Sequence, residues 1–149
     1  MKQFITRTLN ALRSLRSLIR YGGYVQAHHS TINYGQLFDR DTVVLVTGSS
    51  RGIGLAIARR FAENGASVAI TGRNADALQA ARQSIASDRV TTVEWDIADT
   101  DAIPTVLDRI EKELGPVTIL VNNAGIYAAS AFPHCTPQYW DRVYAVNHR

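Results

Sequence analysis

Val43-Val44-Leu45-Val46-Thr47-Gly48-Ser49-Ser50-Arg51-Gly52-Ile53-Gly54 decides the fold. A short unbroken run of β-branched and aliphatic residues reads as a strand buried on both faces, as in a parallel sheet. The glycines that follow let backbone amides come close to a pyrophosphate at the positive end of the next helix. The stretch therefore reads as strand, glycine turn and helix, a cradle for a nucleotide. Its spacing is Gly-xxx-Gly-x-Gly and not the commoner Gly-x-Gly-xx-Gly.

Working outward from that turn, strands and helices alternate. Asn64-Gly65 should stop a first helix that begins near Ile53 and runs to Glu63. Ser67–Thr71 is a second strand, and a helix is predicted from about Ala75 to Ser87. Val90–Trp95 forms the third strand. The next helix is predicted over Asp101–Leu114, with Pro104 tolerable only in its first turn. Val117–Val121 is the fourth strand, ending in Asn122-Asn123-Ala124-Gly125. Such a βαβ series closes by right-handed crossovers into a parallel sheet with helices on both faces. Beyond it, Thr136 and Pro137 open a helix as N-cap and first residue, with no glycine or proline to end it before Arg149.

The two glycine-bearing segments, TGSSRGIG at 47–54 and NNAG at 122–125, lie about 75 residues apart. Together they resemble the short-chain dehydrogenase/reductase family, whose nucleotide loop has the form TGxxxGIG and whose fourth strand ends in NNAG. The resemblance covers roughly residues 40–149. It implies a Rossmann-like, doubly wound parallel α/β sheet, with strands 1–4 of a usual seven in the order 3-2-1-4-5-6-7. It also implies an oxidoreductase of carbonyl or alcohol substrates that uses a nicotinamide dinucleotide. Members run to about 250 residues, so this chain is expected to be the N-terminal portion of one, either a fragment or a truncated reading frame. The fourth strand would then be an open edge that invites aggregation. The helix with which members commonly pair subunits would be largely missing.

Cofactor contacts are expected from Gly48, Ser50, Arg51, Gly52, Ile53 and Gly54 in the turn. A site for NAD places a carboxylate about 20 residues past the glycines, to accept hydrogen bonds from the ribose 2′-OH. Here the second strand ends in Thr71-Gly72-Arg73-Asn74, without a carboxylate. Arg73 can instead fork onto a 2′-phosphate, and Arg51 adds a second positive group from the turn. As solvated surface arginines the two would need no ligand, but their joint position favours NADP(H) over NAD(H). Asp96, after the third strand, resembles the family's acid at the adenine, with Ile97 packing nearby; it also suits a turn former. Asn123, Ala124 and Gly125 are expected to brace the fourth strand and leave room for the nicotinamide ribose. Asn147, 22 residues past Gly125, resembles the asparagine that helps hold a water in the family's proton relay.

Reduction of a carbonyl needs a proton donor of lowered pKa beside the cofactor. The family supplies a Tyr four residues before a Lys, with a Ser upstream. The only lysines are Lys2 and Lys112, and Asp108 stands four before Lys112. The catalytic Ser, Tyr and Lys are therefore expected beyond Arg149, and Ser130 is not assigned that role. Asn147 remains the one candidate with a catalytic part. A non-catalytic nucleotide- or partner-binding remnant is the alternative.

Composition fits a globular chain, 46% apolar and 19% charged. One cysteine, Cys135, excludes an internal disulfide and points to a reducing, cytoplasmic compartment. His28 and His29 read as a loop pair and no metal site is expected. The formal charge of +3 is unevenly placed. Residues 1–40 carry six basic groups against Asp39, net +5; residues 41–149 carry ten against twelve acids, net −2. On a helical wheel residues 2–20 read as a basic amphipathic helix, with Phe4, Ile5, Leu12, Leu15, Leu18 and Ile19 on one face and Leu9 off it. Such a helix suits a membrane surface or an organelle transit peptide; the alternative is a helix packed on its own domain or a partner. No nucleic-acid partner is expected, since the rest of the chain has no basic surplus. The predicted division is a 1–38 extension and linker, then an incomplete dinucleotide-binding domain at 39–149.

Overall fold

Alternation along the first strand places one residue of each pair on either side of a sheet, and both sides are buried. In the computed structural model, which describes residues 37–39, 41–127 and 134–148, β1 (Val43–Val46) is buried along its whole length. Val44 and Val46 face a cluster with Val68, Ile70, Leu78 and Ala58, while Val43 and Leu45 face another with Ala69, Val93, Val106 and Ile110. Full burial of such a side chain stabilises by about 1.5–3 kcal/mol. Two apolar faces demand two layers of helix, and the sequence supplies both.

α1 (Gly52–Glu63) and α2 (Ala75–Ser84) cover the first face, and α3 (Ile103–Leu114) covers the second. On α1 the buried residues are Gly54, Ala58 and Ala62, all small, so the helix axis comes close to the strands. β2 (Ser67–Gly72), β3 (Val90–Glu94) and β4 (Ile119–Val121) complete a four-stranded parallel sheet in the order β3-β2-β1-β4. The order reverses between β1 and β4, and open sheets of this kind bind ligands at the carboxyl ends beside that reversal. α4 (Pro137–Asn147) follows β4.

Element ends differ from the sequence reading where a tertiary contact outweighs local propensity. The second helix stops at Ser84, not near Ser87, because Ile85 turns extended (φ −97°, ψ 116°) and is only 4% exposed. α3 starts at Ile103, not Asp101, since the Asp99 carboxylate accepts from the Ala102 amide and the Thr100 carbonyl from Ile103, closing a turn first. Residues 117 and 118 precede β4 because the Thr118 hydroxyl takes the Val43 amide at 3.1 Å in place of a backbone carbonyl. α4 ends at Asn147, with the His148 amide bonded to the Tyr144 carbonyl.

Phe38 packs on Phe61 of α1, ring centroids 5.3 Å apart, and its amide bonds to the Asn64 carbonyl. The basic helix at 2–20, His28, His29 and Ser130 lie outside the described residues. No helix among the described residues is long and apolar enough to cross a membrane.

Candidate functional site

Thr47 is the first residue past β1; its amide still bonds to the Val121 carbonyl of β4 at 3.0 Å, and its hydroxyl extends the join. It donates to the Val121 carbonyl at 3.3 Å and accepts from the amides of Asn123 and Ala124, both at 3.0 Å. Asn123 returns the contact: its Nδ2 donates to the carbonyls of Thr47 (2.9 Å) and Gly48 (3.1 Å). The glycine turn and the loop after β4 are thereby stitched across the reversal point of the sheet. Ser49, fully buried, does the same toward β2. Its hydroxyl donates to the Val46 carbonyl at 2.6 Å and accepts from the Thr71 amide at 3.0 Å, while its own amide bonds to the Thr71 carbonyl.

This packing leaves no space for side chains at two glycines. Gly48 has φ +62°, and a Cβ there would lie 2.8 Å from Ala124 Cα. A Cβ on Gly54 would run into the Asn123 amide and the Gly48 carbonyl. Between them α1 begins without a capping side chain: Arg51 stands at the N-cap with no side-chain hydrogen bond, and the first turn holds no acid. The orphan amides of a helix start need a partner and carry partial positive charge.

Those amides open into a cleft of about 330 Å³ at the carboxyl ends of the strands. All twelve residues expected at the dinucleotide line it: Gly48, Ser50, Arg51, Gly52, Ile53 and Gly54 from the turn, Arg73 after β2, Asp96 and Ile97 after β3, and Asn123, Ala124 and Gly125 after β4. Ile53, 76% exposed, gives the mouth an apolar lip. Asn147 does not line the cleft. Its Oδ1 accepts from the Ile126 amide at 2.9 Å and its Nδ2 donates to the Ile126 carbonyl at 3.0 Å, so it fastens α4 to the loop after β4. Gly125 lies just beside, where a Cβ would be 3.6 Å from that Oδ1.

The sequence reading did not single out Trp95, Ile126, Arg142 or Val146, which line the same cleft. Arg142 is the consequential omission. From α4 its Nη2 reaches Asp96 Oδ2 at 2.6 Å, while Asp96 Oδ1 accepts from the Ala98 amide at 3.1 Å. Burial opposes the charged form of Asp96, but the Arg142 and Ala98 hydrogen bonds and the charges of Arg142 and Arg73 outweigh it. The carboxyl stays below its usual range. A cation 46 residues downstream leaves no local pattern that could have announced the pair.

Comparison with known proteins gives this geometry a lineage. Residues 42–149 match the short chain dehydrogenase family. The chain belongs to that family. This short-chain dehydrogenase chain is 43% identical over 105 residues to an acetoacetyl-CoA reductase of Paracoccus denitrificans, covering 70% of this chain and 43% of that protein. It is 42% identical over 106 residues to an NADP-dependent (R)-specific alcohol dehydrogenase of Lentilactobacillus kefiri, covering 70% and 42%. Among solved structures, a short chain dehydrogenase from Bacillus anthracis superposes with a TM-score of 0.68 at 33% identity, over 72% of this chain and 45% of that one. The chain thus spans about two fifths of the length of the curated relatives it matches. Members of the short-chain dehydrogenase family are oxidoreductases that bind nicotinamide cofactors, and the Rossmann-like sheet seen here is theirs.

Proposed function

We propose that residues 39–149 are the NADP(H)-binding portion of an oxidoreductase acting on carbonyl or alcohol groups. One observation carries the reading: a single cleft gathers the glycine turn, an uncapped helix start and three arginines against one carboxylate that is already paired. With Arg51, Arg73 and Arg142 against Asp96, the described residues of the lining have a net charge of +2. A phosphate monoester carries about −1.5 to −2 near neutrality, which this balance would complement. The Arg51 side chain has no hydrogen-bond or ion-pair partner among the described residues, so its charge is free for a ligand. A relative named as an NADP-dependent alcohol dehydrogenase supports the same choice.

In this reading Gly48, Gly52 and Gly54 bring backbone amides to the pyrophosphate, with Ser50 and Ile53 flanking it. Arg51 and Arg73 hold the 2′-phosphate, Asp96 and Ile97 border the adenine, and Asn123, Ala124 and Gly125 border the nicotinamide ribose. When bound, the nicotinamide supplies the two electrons of the reduction. Asn147, bonded through both ends of its amide, keeps Ile126 and the loop after β4 in place on the side where a proton must arrive. Because the sequence holds no Tyr four residues before a Lys, the proton donor is assigned outside these 149 residues.

Fluorescence titration of the chain with NADPH and NADH tests the proposal. NADPH should bind about tenfold more tightly or better, the size of one charge-assisted contact of about 1.5 kcal/mol. Arg73→Ala should remove most of that preference. Equal binding of the two dinucleotides would overturn the cofactor assignment.

A further inference from the structure

We propose that Arg142 is a cofactor-selectivity residue that acts through Asp96: by holding that carboxylate in an ion pair, it lets a ribose 2′-phosphate share the cleft with an acid. The inference rests on the NADP(H) reading of the cleft. Asp96 is the only carboxylate among the described residues of the lining, and Arg73 is near enough to contribute to holding it charged. Left alone, Asp96 would oppose the cofactor twice. Its negative charge would repel the phosphate, and it would offer Arg73 a protein partner in place of the ligand. Arg142 prevents both, since its guanidinium takes Asp96 Oδ2 at 2.6 Å while the Ala98 amide takes Oδ1. The Arg73 side chain makes no hydrogen bond or ion pair with any described residue. Its hydrogen-bond donors are therefore left for the phosphate, although its charge is felt by Asp96.

Partial burial gives the arrangement its leverage. The side chains of Arg142 and Asp96 are 37% and 36% exposed, so the pair is screened less than a fully solvated one. The residue comes from α4, whose other polar ties to the sheet end are Asn147 on Ile126 and the Tyr139 hydroxyl on the Tyr127 carbonyl. Arg142 could thus be a strut for the helix and nothing more. A strut and a selectivity residue make different predictions. Loss of a strut weakens both dinucleotides alike; loss of the neutralising charge weakens the phosphorylated one more.

The test is a double-mutant cycle on the full chain, with NADPH and NADH affinities measured by fluorescence titration and folding checked by circular dichroism. Arg142→Met should lower NADPH affinity about tenfold more than NADH affinity, the scale of one uncompensated charge screened by water at a half-exposed site. Arg142→Lys should keep most of the preference. Adding Asp96→Asn to Arg142→Met should restore it, because no charge is left to neutralise. Arg142→Gln, which keeps a hydrogen bond and drops the charge, is the second variant should Arg142→Met fold poorly, and should shift selectivity in the same direction. An unaltered chain that prefers NADPH, with Arg142 variants that lower both affinities equally or neither, would overturn this proposal alone. An unaltered chain that binds the two dinucleotides equally, or neither, would overturn it together with the cofactor assignment.

Discussion

The two sides of the cleft are held in different ways. On the β1–α1 side the joins are neutral and duplicated: Thr47, Ser49 and Asn123 make seven side-chain hydrogen bonds to backbone between them. On the β4–α4 side the sheet ends in a strand whose Leu120 is 56% exposed, and α4 buries only Val146 while Trp140 and Tyr144 stay exposed. That side hangs on an ion pair, one asparagine and the Tyr139 hydroxyl on the Tyr127 carbonyl. The contrast separates a half whose shape is fixed before any ligand arrives from a half whose placement depends on a few polar contacts. Preorganisation of the phosphate-binding side lowers the cost of binding; the other side is where neighbouring structure or ligand has most to add.

The largest effect expected from that contrast is at Gly54. A methyl there has no free volume, since both the Asn123 amide and the Gly48 carbonyl are in its way. Gly54→Ala should cost about 3 kcal/mol, the upper range for overpacking, and abolish NADPH binding. Gly52→Ala makes the control. It meets nothing within 4 Å and suffers only its φ of +60°, a penalty of about 1–2 kcal/mol. Denaturant unfolding of the two variants measures the gap. Similar losses at both glycines would mean that the tight packing across the reversal point is not what fixes the cradle.

Next in size is a pair of side-chain deletions, one on each side. Thr47→Val removes the acceptor of two amides, Asn123 and Ala124, in a place where Thr47 is 2% exposed. Leaving buried donors unsatisfied costs about 1–3 kcal/mol, and the loss should appear in global stability. Asn147→Ala frees Ile126 and α4 at an exposed position, where each lost bond is worth about 1 kcal/mol or less. Amide hydrogen exchange should show faster opening of 134–148 with the sheet unchanged. If Asn147→Ala destabilised the sheet as much as Thr47→Val, the two sides would form one cooperative unit and the comparison would fail.

The same division explains what the sequence disclosed. The rigid half is written locally: a valine run, a glycine turn and a strand-end NNAG can be read in order, and their mutual fit follows from the steric needs of a parallel sheet. Even there, adjacent Ser49 and Ser50 look alike in sequence, yet one is buried in the strand joint and the other lines the cleft. Only the direction of the backbone after β1 tells them apart. Element ends were misread where a distant partner decided them, as Ile85 leaves its helix for the core and Thr118 replaces a ladder bond by its hydroxyl. Arg142 was illegible for a different reason. An arginine on a helix with mixed polar neighbours reads as solvated surface, and its partner lies in another crossover.

Acid should separate the halves with the smallest perturbation. The bonds made by the side chains of Thr47, Ser49 and Asn123 involve no group that titrates below neutrality, so they should hold as pH falls. Asp96 is different: its folded pKa lies below the ordinary 3.8 despite the opposing effect of burial, because Arg142 and Ala98 bind the charged form. A depressed carboxyl contributes stability that is complete above its unfolded pKa and disappears as pH drops through the folded value. The Arg142 clamp should therefore be intact at pH 5 and weaken progressively below about 3.8. Glu113 of α3, lowered chiefly by the Thr91 hydroxyl and then by Arg109 against the opposing effect of burial, adds a loss of the same sign. Hydrogen exchange followed by mass spectrometry from pH 5 to pH 3, corrected for intrinsic rates, should show protection falling in 134–148 while 44–60 keeps its own. Parallel loss in both segments would mean that the ion pair is not what holds α4 over the cleft.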